Sequence, residues 1–395
     1  MSRQVERTDP TACAHPRIRV LQVIGSLHFG GAERLVAHLA TGIDHTRFDM
    51  MVCCTREAGK IGEQIAASGL PVVALGSRQG LQRYGVPLSM LRMIRAHAPD
   101  VVHTHGLVAL TGVGPLAYLR ALPYWIHTFH YGNYPYKSAR QMWLERALSR
   151  RASKLVAVAA AQRDAIARFH RLPIERLIVI SNGVSPNPFL NLPEVRRRKR
   201  QELGFADTDF VVASISVLSE QKGVEYFLRA AAEILQRRPE VKFLVVGGGP
   251  LEMQLRAEAD RLGLNEYIRF TGWRADVQEL LLSIDIYVMA SLWEAMPLAL
   301  LEAMAARRAI VATNVGNNAE IVGLGDAAMV VPPRDSAALA NCICQLIESP
   351  ATANALASRA LDRFEQHYTA ATVMNAYQSL YDQSRDGHSS NQRPF

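Results

Sequence analysis

The sequence predicts an α/β protein with two doubly wound, Rossmann-like parallel-sheet domains that face each other across a cleft. Three observations lead to this fold class. The chain has 395 residues, and a single hydrophobic core stops growing at about 250 to 300 residues. Runs rich in valine and isoleucine alternate with helical patterns. A segment rich in proline, glycine and asparagine interrupts that alternation at residues 181–195, so we place the domain boundary beside it.

The strands of the first predicted domain are short and almost continuously apolar, as in parallel sheets that helices cover on both faces. The first strand, RIRVLQVI at 17–24, precedes a helix expected from about Ala32 to Thr41. The other strand candidates are residues 48–54, 71–75, 100–104, 124–129, 154–159 and 176–180. Because helical segments separate them, they are typical of βαβ units.

The same alternation restarts after the break. The strand candidates of the second domain are residues 209–218, 241–247, 266–272, 285–291 and 309–314, followed by helices at 336–348, 351–366 and 370–384. We therefore predict an N-terminal domain over residues 1–188 and a C-terminal domain over 189–365. Residues 366–395 should form a helix that returns to the N-terminal domain, and then a disordered tail. Ligands of such sheets bind outside the carboxyl ends of the strands, so the cleft is the expected site.

The composition favours a folded cytoplasmic protein, with 49% hydrophobic and 20% charged residues. The five cysteines form no Cys-x-x-Cys pair, which implies a reducing compartment. The polar N-terminus lacks the apolar core of a signal peptide, and no apolar stretch reaches the ~18 residues that a membrane span needs. The net charge of +8 favours an anionic partner. The basic run at 196–200 is expected to be a solvated helix face.

A glycine-rich turn follows the first strand. Gly30 and Gly31 stand immediately before the first helix, where glycine lets backbone amides approach a phosphate and the helix N-terminus adds partial positive charge. A tight strand-to-helix turn is the alternative interpretation. Neither this turn nor the glycines at 247–249 match the dinucleotide fingerprint, and no P-loop motif occurs. A Rossmann dehydrogenase and a P-loop ATPase are therefore disfavoured.

The most informative stretch is SLWEAMPLALLEAMA at 291–305, in which seven residues separate two glutamates. Pro297 suits the first turn of a helix. It places Glu294 as an exposed acid in the preceding loop and Glu302 as a buried acid in an otherwise apolar helix. A buried carboxylate needs hydrogen-bond donors, which could be sugar or ribose hydroxyls, a backbone segment or a core arginine. With free backbone amides at the start of this helix, the stretch suits a nucleotide sugar.

This stretch resembles the signature of retaining glycosyltransferase family four, whose members have the GT-B fold. Further motifs occur in family order: GGAER at 30–34, DVVHTHG at 100–106, HTFH at 127–130, SNGV at 181–184, SEQKG at 219–223, VVGGGPLE at 245–252, FTGWRADV at 270–277 and ATNVGNNAEIV at 312–322. The resemblance covers nearly the whole chain. It implies an acceptor-binding N-terminal domain, a C-terminal domain that binds a nucleotide sugar, and transfer of a hexose-type sugar in polysaccharide or glycolipid biosynthesis. A UDP-sugar is favoured over GDP-mannose.

The resemblance also implies residue roles. Glu302 would accept hydrogen bonds from the ribose, Glu294 would contact the transferred sugar and Lys222 would neutralise the diphosphate. His130 would assist near the reacting sugar, and a satisfied histidine at a strand end is the alternative. The catalytic candidates are thus Glu294, His130 and Lys222, and the donor-binding candidates are Gly30, Gly31, Lys222, Trp273, Glu294, Met296, Pro297, Leu298 and Glu302.

One position departs from the family pattern. Family members commonly have Gly-Arg before leucine in the phosphate loop of the second domain, whereas this chain has Ser216-Val217-Leu218. Either Arg274 supplies the second cation, or diphosphate binding is weaker than usual.

No metal or other cofactor is expected. His103 and His105 lie on one strand face by alternation, but two histidines without a third ligand are more often packed core residues. The resemblance implies that Lys222 and helix dipoles act in place of a metal. It also implies a front-face mechanism with retention, in which the leaving phosphate helps to deprotonate the acceptor hydroxyl.

The acceptor is expected to bind the N-terminal domain. Residues 130–143 mix aromatic and basic side chains, which suit a glycan or polyprenyl-diphosphate-linked acceptor and peripheral contact with the anionic inner face of a membrane. An ordinary loop and amphipathic helix is the alternative. Nucleic acid is not an expected partner, since no reading motif accompanies the basic residues. A nucleotide-sugar epimerase or hydrolase of related fold, and a catalytically weak nucleotide-sugar-binding protein, stay open as other functions.

Overall fold

The computed structural model describes residues 16–28, 30–76, 85–130 and 138–388. Within them the predicted architecture of two parallel-sheet α/β domains is confirmed.

The first sheet is built from seven parallel strands. They are β1 (Ile18–Ile24), β2 (Phe48–Cys54), β3 (Val72–Ala74), β4 (Val101–His105), β5 (Tyr124–Phe129), β6 (Lys154–Ala157) and β7 (Leu177–Val179). Their order is β3-β2-β1-β4-β5-β6-β7. The helices between them are α1 (Gly31–Gly42), α2 (Gly59–Ala67), α3 (Val86–His97), α4 (Gly106–Tyr118), α5 (Ala139–Ser149) and α6 (Ala160–His170). Alternate residues of β1 enter two different hydrophobic clusters, so both faces of the sheet are covered.

The second sheet has six parallel strands, one more than the sequence predicts. They are β8 (Val211–Ile215), β9 (Lys242–Val246), β10 (Ile268–Phe270), β11 (Ile286–Met289), β12 (Ala309–Thr313) and β13 (Met329–Val331), in the order β10-β9-β8-β11-β12-β13. The helices of this domain are α7 (Pro193–Leu203), α8 (Val224–Leu235), α9 (Glu252–Arg261), α10 (Val277–Ser283), α11 (Leu298–Ala305), α12 (Asn318–Ile321), α13 (Ser336–Glu348) and α14 (Pro350–His367). The unpredicted strand, β13, has only three residues and pairs with β12 at the sheet edge.

Only part of the basic run at 196–200 is the solvated helix face that its composition predicts, since Arg197 and Arg198 are 72% and 63% exposed but the other three cations are not. Arg200 is 1% exposed, and its guanidinium lies 2.8 Å from Oδ2 of Asp285. Arg196 donates to the other oxygen of Asp285 at 2.6 Å, and Lys199 contacts Asp276 at 2.5 Å. Paired acids that are distant in the sequence make burial of these cations tolerable. The run therefore attaches α7 to the second domain.

The chain returns to the first domain after α14. Val184 exchanges backbone hydrogen bonds with Tyr368 and Ala370, and the last helix, α15 (Ala370–His388), packs Tyr377 and Tyr381 into a cluster with residues of β1 and β2. This helix runs four residues beyond the predicted end at 384. The domain boundaries at 188/189 and 365/366 stay predictions, and residues 389–395 of the predicted tail lie outside the described residues.

Candidate active site

The strand order reverses at one point in each sheet, between β1 and β4 and between β8 and β11. Doubly wound sheets bind ligands at the carboxyl ends of the strands beside such a switch point. The loop after β1 leads to Gly30 and Gly31, and the loops after β8 and β11 carry Lys222 and Glu294. The predicted site residues therefore lie at both switch points.

The N-termini of α1 and α11 bring the two switch points together. A β-carbon on Gly31 would lie 3.8 Å from Cγ of Leu298, so the first turns of the two helices lie close together. Neither N-cap residue, Gly30 or Pro297, makes a side-chain cap. The carboxylate of Glu33, in the first turn of α1, lies over this N-terminus, with Oε2 2.2 Å from the place of a β-carbon on Gly30. The first N–H groups of each helix lack an intrahelical partner and carry partial positive charge. Two such N-termini suit an anion such as a diphosphate.

Glu294 is held inside the loop before α11, and the prediction that it is an exposed acid is wrong. It is 4% exposed, and the ammonium of Lys222 contacts its Oε1. Ser291 donates to the same oxygen at 2.8 Å, and Gln221 donates to Oε2 at 3.4 Å. The three donors compensate the loss of water around the carboxylate. The charged pair is therefore a prearranged part of the site.

Two glycines with left-handed backbone conformation let the loops of this pair approach closely. Gly223 has a φ of 56°, and a β-carbon there would lie 2.2 Å from the carbonyl oxygen of Ala290. Gly316 has a φ of 55°, and its β-carbon would lie 1.9 Å from the carbonyl oxygen of Glu294. Because no real β-carbon fits at such distances, both loops depend on glycine.

Glu302 lies one turn inside α11 and faces the other domain. Its side chain is 15% exposed, and Oε1 accepts a hydrogen bond of 2.7 Å from Nη1 of Arg34 on α1. Burial raises the pKa of the Glu302 carboxyl, and the charge of Arg34 opposes that rise. Arg34 is 48% exposed, so Glu302 does not have a core arginine as its partner. Glu302 is thus the more exposed of the two glutamates, the reverse of the predicted order.

His130 follows β5 at the carboxyl edge of the first sheet. Its Nε2 lies 3.1 Å from Nδ1 of His105. Burial lowers the pKa of His130 to about 4, so the imidazole is neutral near pH 7. His103 and His105 are buried and hydrogen-bonded as predicted for core residues.

The remaining donor-binding candidates differ in accessibility. Trp273 is 62% exposed and lies against Gly248, where a β-carbon would come within 2.5 Å of the indole nitrogen. Met296 is buried in the core, and its carbonyl accepts a hydrogen bond of 3.2 Å from Asn182. Pro297 is the N-cap of α11. Trp273 therefore presents a side chain to solvent, whereas Met296 is a packing residue in this structure.

Arg274 does not replace the arginine that family members commonly have at the position of Val217. Its guanidinium contacts Asp276 at 2.7 Å and Glu202 at 2.5 Å, and hydrogen bonds to these two acids raise its pKa. Val217 itself is 42% exposed in the loop after β8.

Sequence reasoning did not assign a role to Arg34, Ser291, Gln221 or Asn182. Arg34 had a usable signal, because it stands three residues after Gly31 and so lies on the same helix face. The other three contribute hydrogen bonds whose partners could not be inferred from spacing. Residues 131–137 of the predicted acceptor segment lie outside the described residues.

Within residues 16–28, 30–76, 85–130 and 138–388, no group of three or more histidine, cysteine, aspartate or glutamate side chains is arranged to hold a metal ion. None of the helices in these ranges is long and apolar enough to cross a membrane.

Comparison with known proteins agrees with this geometry. The family model Glycosyltransferase Family 4 matches residues 29–187, and the model Glycosyl transferases group 1 matches residues 195–363. The chain belongs to glycosyltransferase family 4. This glycosyltransferase is 30% identical over 260 residues to the lipopolysaccharide core biosynthesis mannosyltransferase LpcC of Rhizobium leguminosarum, which covers 60% of this chain and 74% of that protein.

Two further similarities extend over more of this glycosyltransferase. The UDP-Gal:alpha-D-GlcNAc-diphosphoundecaprenol alpha-1,3-galactosyltransferase of Escherichia coli is 25% identical over 77% of this chain and 81% of its own. The crystal structure of Anabaena HepE in complex with UDP and glucose superposes with a TM-score of 0.82 at 25% identity, covering 93% of this chain and 100% of that one. The protein is therefore a GT-B glycosyltransferase of glycan or glycolipid biosynthesis.

Proposed function

We propose that the enzyme transfers a hexose-type sugar from a UDP-sugar to a glycan or polyprenyl-diphosphate-linked acceptor, with retention of configuration and without a metal ion. One observation carries the proposal. The Lys222–Glu294 pair lies at the start of α11, where the N-terminus of α1 also converges. This arrangement offers positive charge and amide donors to a diphosphate, and carboxylates to the polyols on either side of it.

The positive groups act on the leaving nucleotide. As the bond between the anomeric carbon and the diphosphate breaks, its electron pair remains on the phosphate oxygen. Lys222 and the N-terminal amides of α1 and α11 stabilise that developing charge. The acceptor oxygen bonds to the anomeric carbon on the same face, and its proton passes to the leaving phosphate oxygen.

The two glutamates and His130 orient the donor. Glu302 accepts hydrogen bonds from the ribose hydroxyls, in exchange for or beside its bond to Arg34. Glu294 binds a hydroxyl of the transferred sugar through a lone pair that its three donors do not occupy. His130, from the other domain, contacts the same sugar. Trp273 offers an aromatic face near the nucleotide end.

The donor and acceptor classes have support from relatives. HepE has been crystallised with UDP and glucose, and the E. coli relative is a galactosyltransferase with UDP-Gal as donor and a diphosphoundecaprenol-linked acceptor. Exposed Arg140 and Trp143 on α5 belong to the predicted acceptor segment at 130–143 and suit contact with an anionic membrane surface. Flotation with liposomes should depend on anionic lipid.

The nucleotide is tested by thermal unfolding with UDP, GDP, ADP and their sugars. A ligand at 100 times its dissociation constant adds about 2.7 kcal/mol to the stability of the protein, so UDP and UDP-sugars should raise Tm most. A larger shift with GDP-mannose would refute the UDP assignment. Transfer is then measured with a lipid-diphosphate sugar and EDTA present, and NMR of the product shows whether the anomeric configuration is retained.

The same donor distinguishes the other two functions. An epimerase or hydrolase would change the UDP-sugar without any acceptor. A nucleotide-sugar-binding protein would raise its Tm with the donor and transfer nothing to any acceptor.

A further inference from the structure

A chain of buried polar side chains connects His130 with the C-terminal helix. Nε2 of His130 lies 3.1 Å from Nδ1 of His105, and Nε2 of His105 lies 2.5 Å from Oε1 of Gln22. Nε2 of Gln22 lies 2.6 Å from the hydroxyl oxygen of Tyr381 on α15. The chain thus runs from the edge of β5 through β4 and β1 to the last helix.

The chain continues inside the domain. The hydroxyl of Tyr381 lies 2.8 Å from Nδ1 of His103, and Nε2 of His103 lies 2.8 Å from Oγ1 of Thr128. Gln22, His103, Thr128 and Tyr381 are 0% exposed, and His105 is 3% exposed. Because buried polar groups need partners, each member restricts the proton position of the next.

Gln22 sets the direction of the chain. Its amide oxygen can only accept and its amide nitrogen can only donate, so Nε2 of His105 carries a proton and donates to Gln22. Burial lowers the pKa of His105 well below its usual range, which keeps the ring neutral and leaves a lone pair on Nδ1. The hydrogen bond between the two histidines then requires Nε2 of His130 to be the donor.

We propose that His105 is a positioning residue that holds His130 as the Nε2–H tautomer, so that Nδ1 of His130 carries the lone pair that accepts a hydrogen bond from a substrate hydroxyl. The orientation of the ring follows from the same contact. The tautomer follows from the buried network alone, whereas its effect on turnover rests on the proposed function.

The other tautomer of His130 would require the opposite orientation of the Gln22 amide. If the amide of Gln22 were turned by half a rotation, its nitrogen would donate to Nε2 of His105, and Nδ1 of His105 would donate to His130. Nδ1 of His130 would then carry the proton. NMR of the full-length protein with isotope-labelled histidine distinguishes the two tautomers by the nitrogen shifts of His130, which the His130→Asn variant assigns.

Two substitutions at position 105 remove the hydrogen bonds of this ring to His130 and to Gln22 one at a time. In His105→Asn the side-chain oxygen occupies approximately the place of Nδ1, so it can still accept from His130 while contact with Gln22 is lost. In His105→Gln the amide reaches approximately the place of Nε2, so contact with Gln22 is kept while His130 loses its acceptor. The two variants have the same polar group and therefore serve as matched controls.

The wild type and His105→Asn should show the Nε2–H tautomer, and His105→Gln should show a mixture. With a transferable donor, His105→Gln should lower kcat by about tenfold with little change in the donor KM, because the ring is no longer oriented. His105→Asn should retain most of kcat.

A wild-type His130 with its proton on Nδ1 would overturn the proposal. So would equal tautomer populations in the three proteins, since His105 would then not control them. If the tautomers behave as expected but kcat is the same in all three, the positioning stands and the role of His130 in the proposed reaction fails. The wild-type spectrum, assigned with His130→Asn, decides the tautomer even where neither variant at position 105 folds.

Discussion

The two halves of the candidate site solve the burial of polar groups in opposite ways. The half on the second domain holds a charged pair, Lys222 and Glu294, in loops that only glycine allows to approach. The half on the first domain holds neutral histidines, whose pKa values burial lowers. A leaving diphosphate needs fixed charge, whereas a sugar hydroxyl needs only an oriented donor or acceptor. We infer that the second domain supplies most of the electrostatic stabilisation and the first domain supplies orientation.

Removal of the fixed charge should have the largest effect. Lys222→Ala leaves Glu294 buried without its cation and removes positive charge from the diphosphate site, so kcat should fall by about a thousandfold. Steady-state transfer measures the loss. Arg256→Ala, which removes an exposed cation paired with Glu252, is the control and should change kcat little. Near-normal turnover in Lys222→Ala would contradict the assignment of the site.

The glycine at position 316 should be the next most sensitive position. Gly316→Ala would place a β-carbon 1.9 Å from the Glu294 carbonyl oxygen, so the Glu294 loop must move and kcat should fall by about 10 to 100-fold. Gly263 also has positive φ, at 72°, but a β-carbon there meets nothing within 4 Å. Gly263→Ala should therefore cost about 1 kcal/mol of stability and leave kcat unchanged. Equal kcat in both variants would show that the loop tolerates displacement.

Loss of the Glu302 carboxylate should weaken nucleotide binding by about tenfold, which corresponds to one charged hydrogen bond of about 1.4 kcal/mol. Calorimetry of UDP with Glu302→Gln measures the change. The matched ligand is 2′,3′-dideoxy-UDP, which lacks both ribose hydroxyls. It should bind wild type and variant with similar Kd values. An equal loss for both nucleotides would mean that Glu302 acts through its bond to Arg34 and not through the ribose.

The fold was predictable from the sequence because apolar strands and helical segments alternate over nearly the whole chain. β13 was missed although β3, β7 and β10 are equally short and were predicted, so its length does not explain the omission. The order of burial of the two glutamates was wrong for a physical reason. Periodicity shows that α11 is apolar, but it does not show that Arg34, 268 residues away in sequence, meets Glu302 at the cleft.

The basic run at 196–200 was misinterpreted in part, and for a related reason. Composition shows five adjacent cations. It does not show that the two buried ones, Lys199 and Arg200, pair with Asp276 and Asp285, which are distant in the sequence. Local pattern therefore predicts which elements form, whereas the partners of charged groups depend on tertiary contacts.

The neutral histidines in the first-domain half of the site predict the smallest of these effects, a loss of stability in acid. Burial lowers the pKa of His103, His105 and His130, the last to about 4, whereas an unfolded histidine titrates near ~6.5. Between these values the unfolded chain binds more protons than the folded one. The free energy of unfolding should therefore fall as pH drops from about 6.5 towards 4, and these groups should contribute no pH dependence above that window.

Urea unfolding of wild type and His130→Asn across the window measures this loss of stability. Because carboxyl groups titrate alike in both proteins, the difference between the two curves isolates His130, and the variant should lose less stability in acid. Parallel curves would mean that the pKa of His130 is not lowered in the folded protein, and the contrast between a charged and a neutral half of the site would then fail.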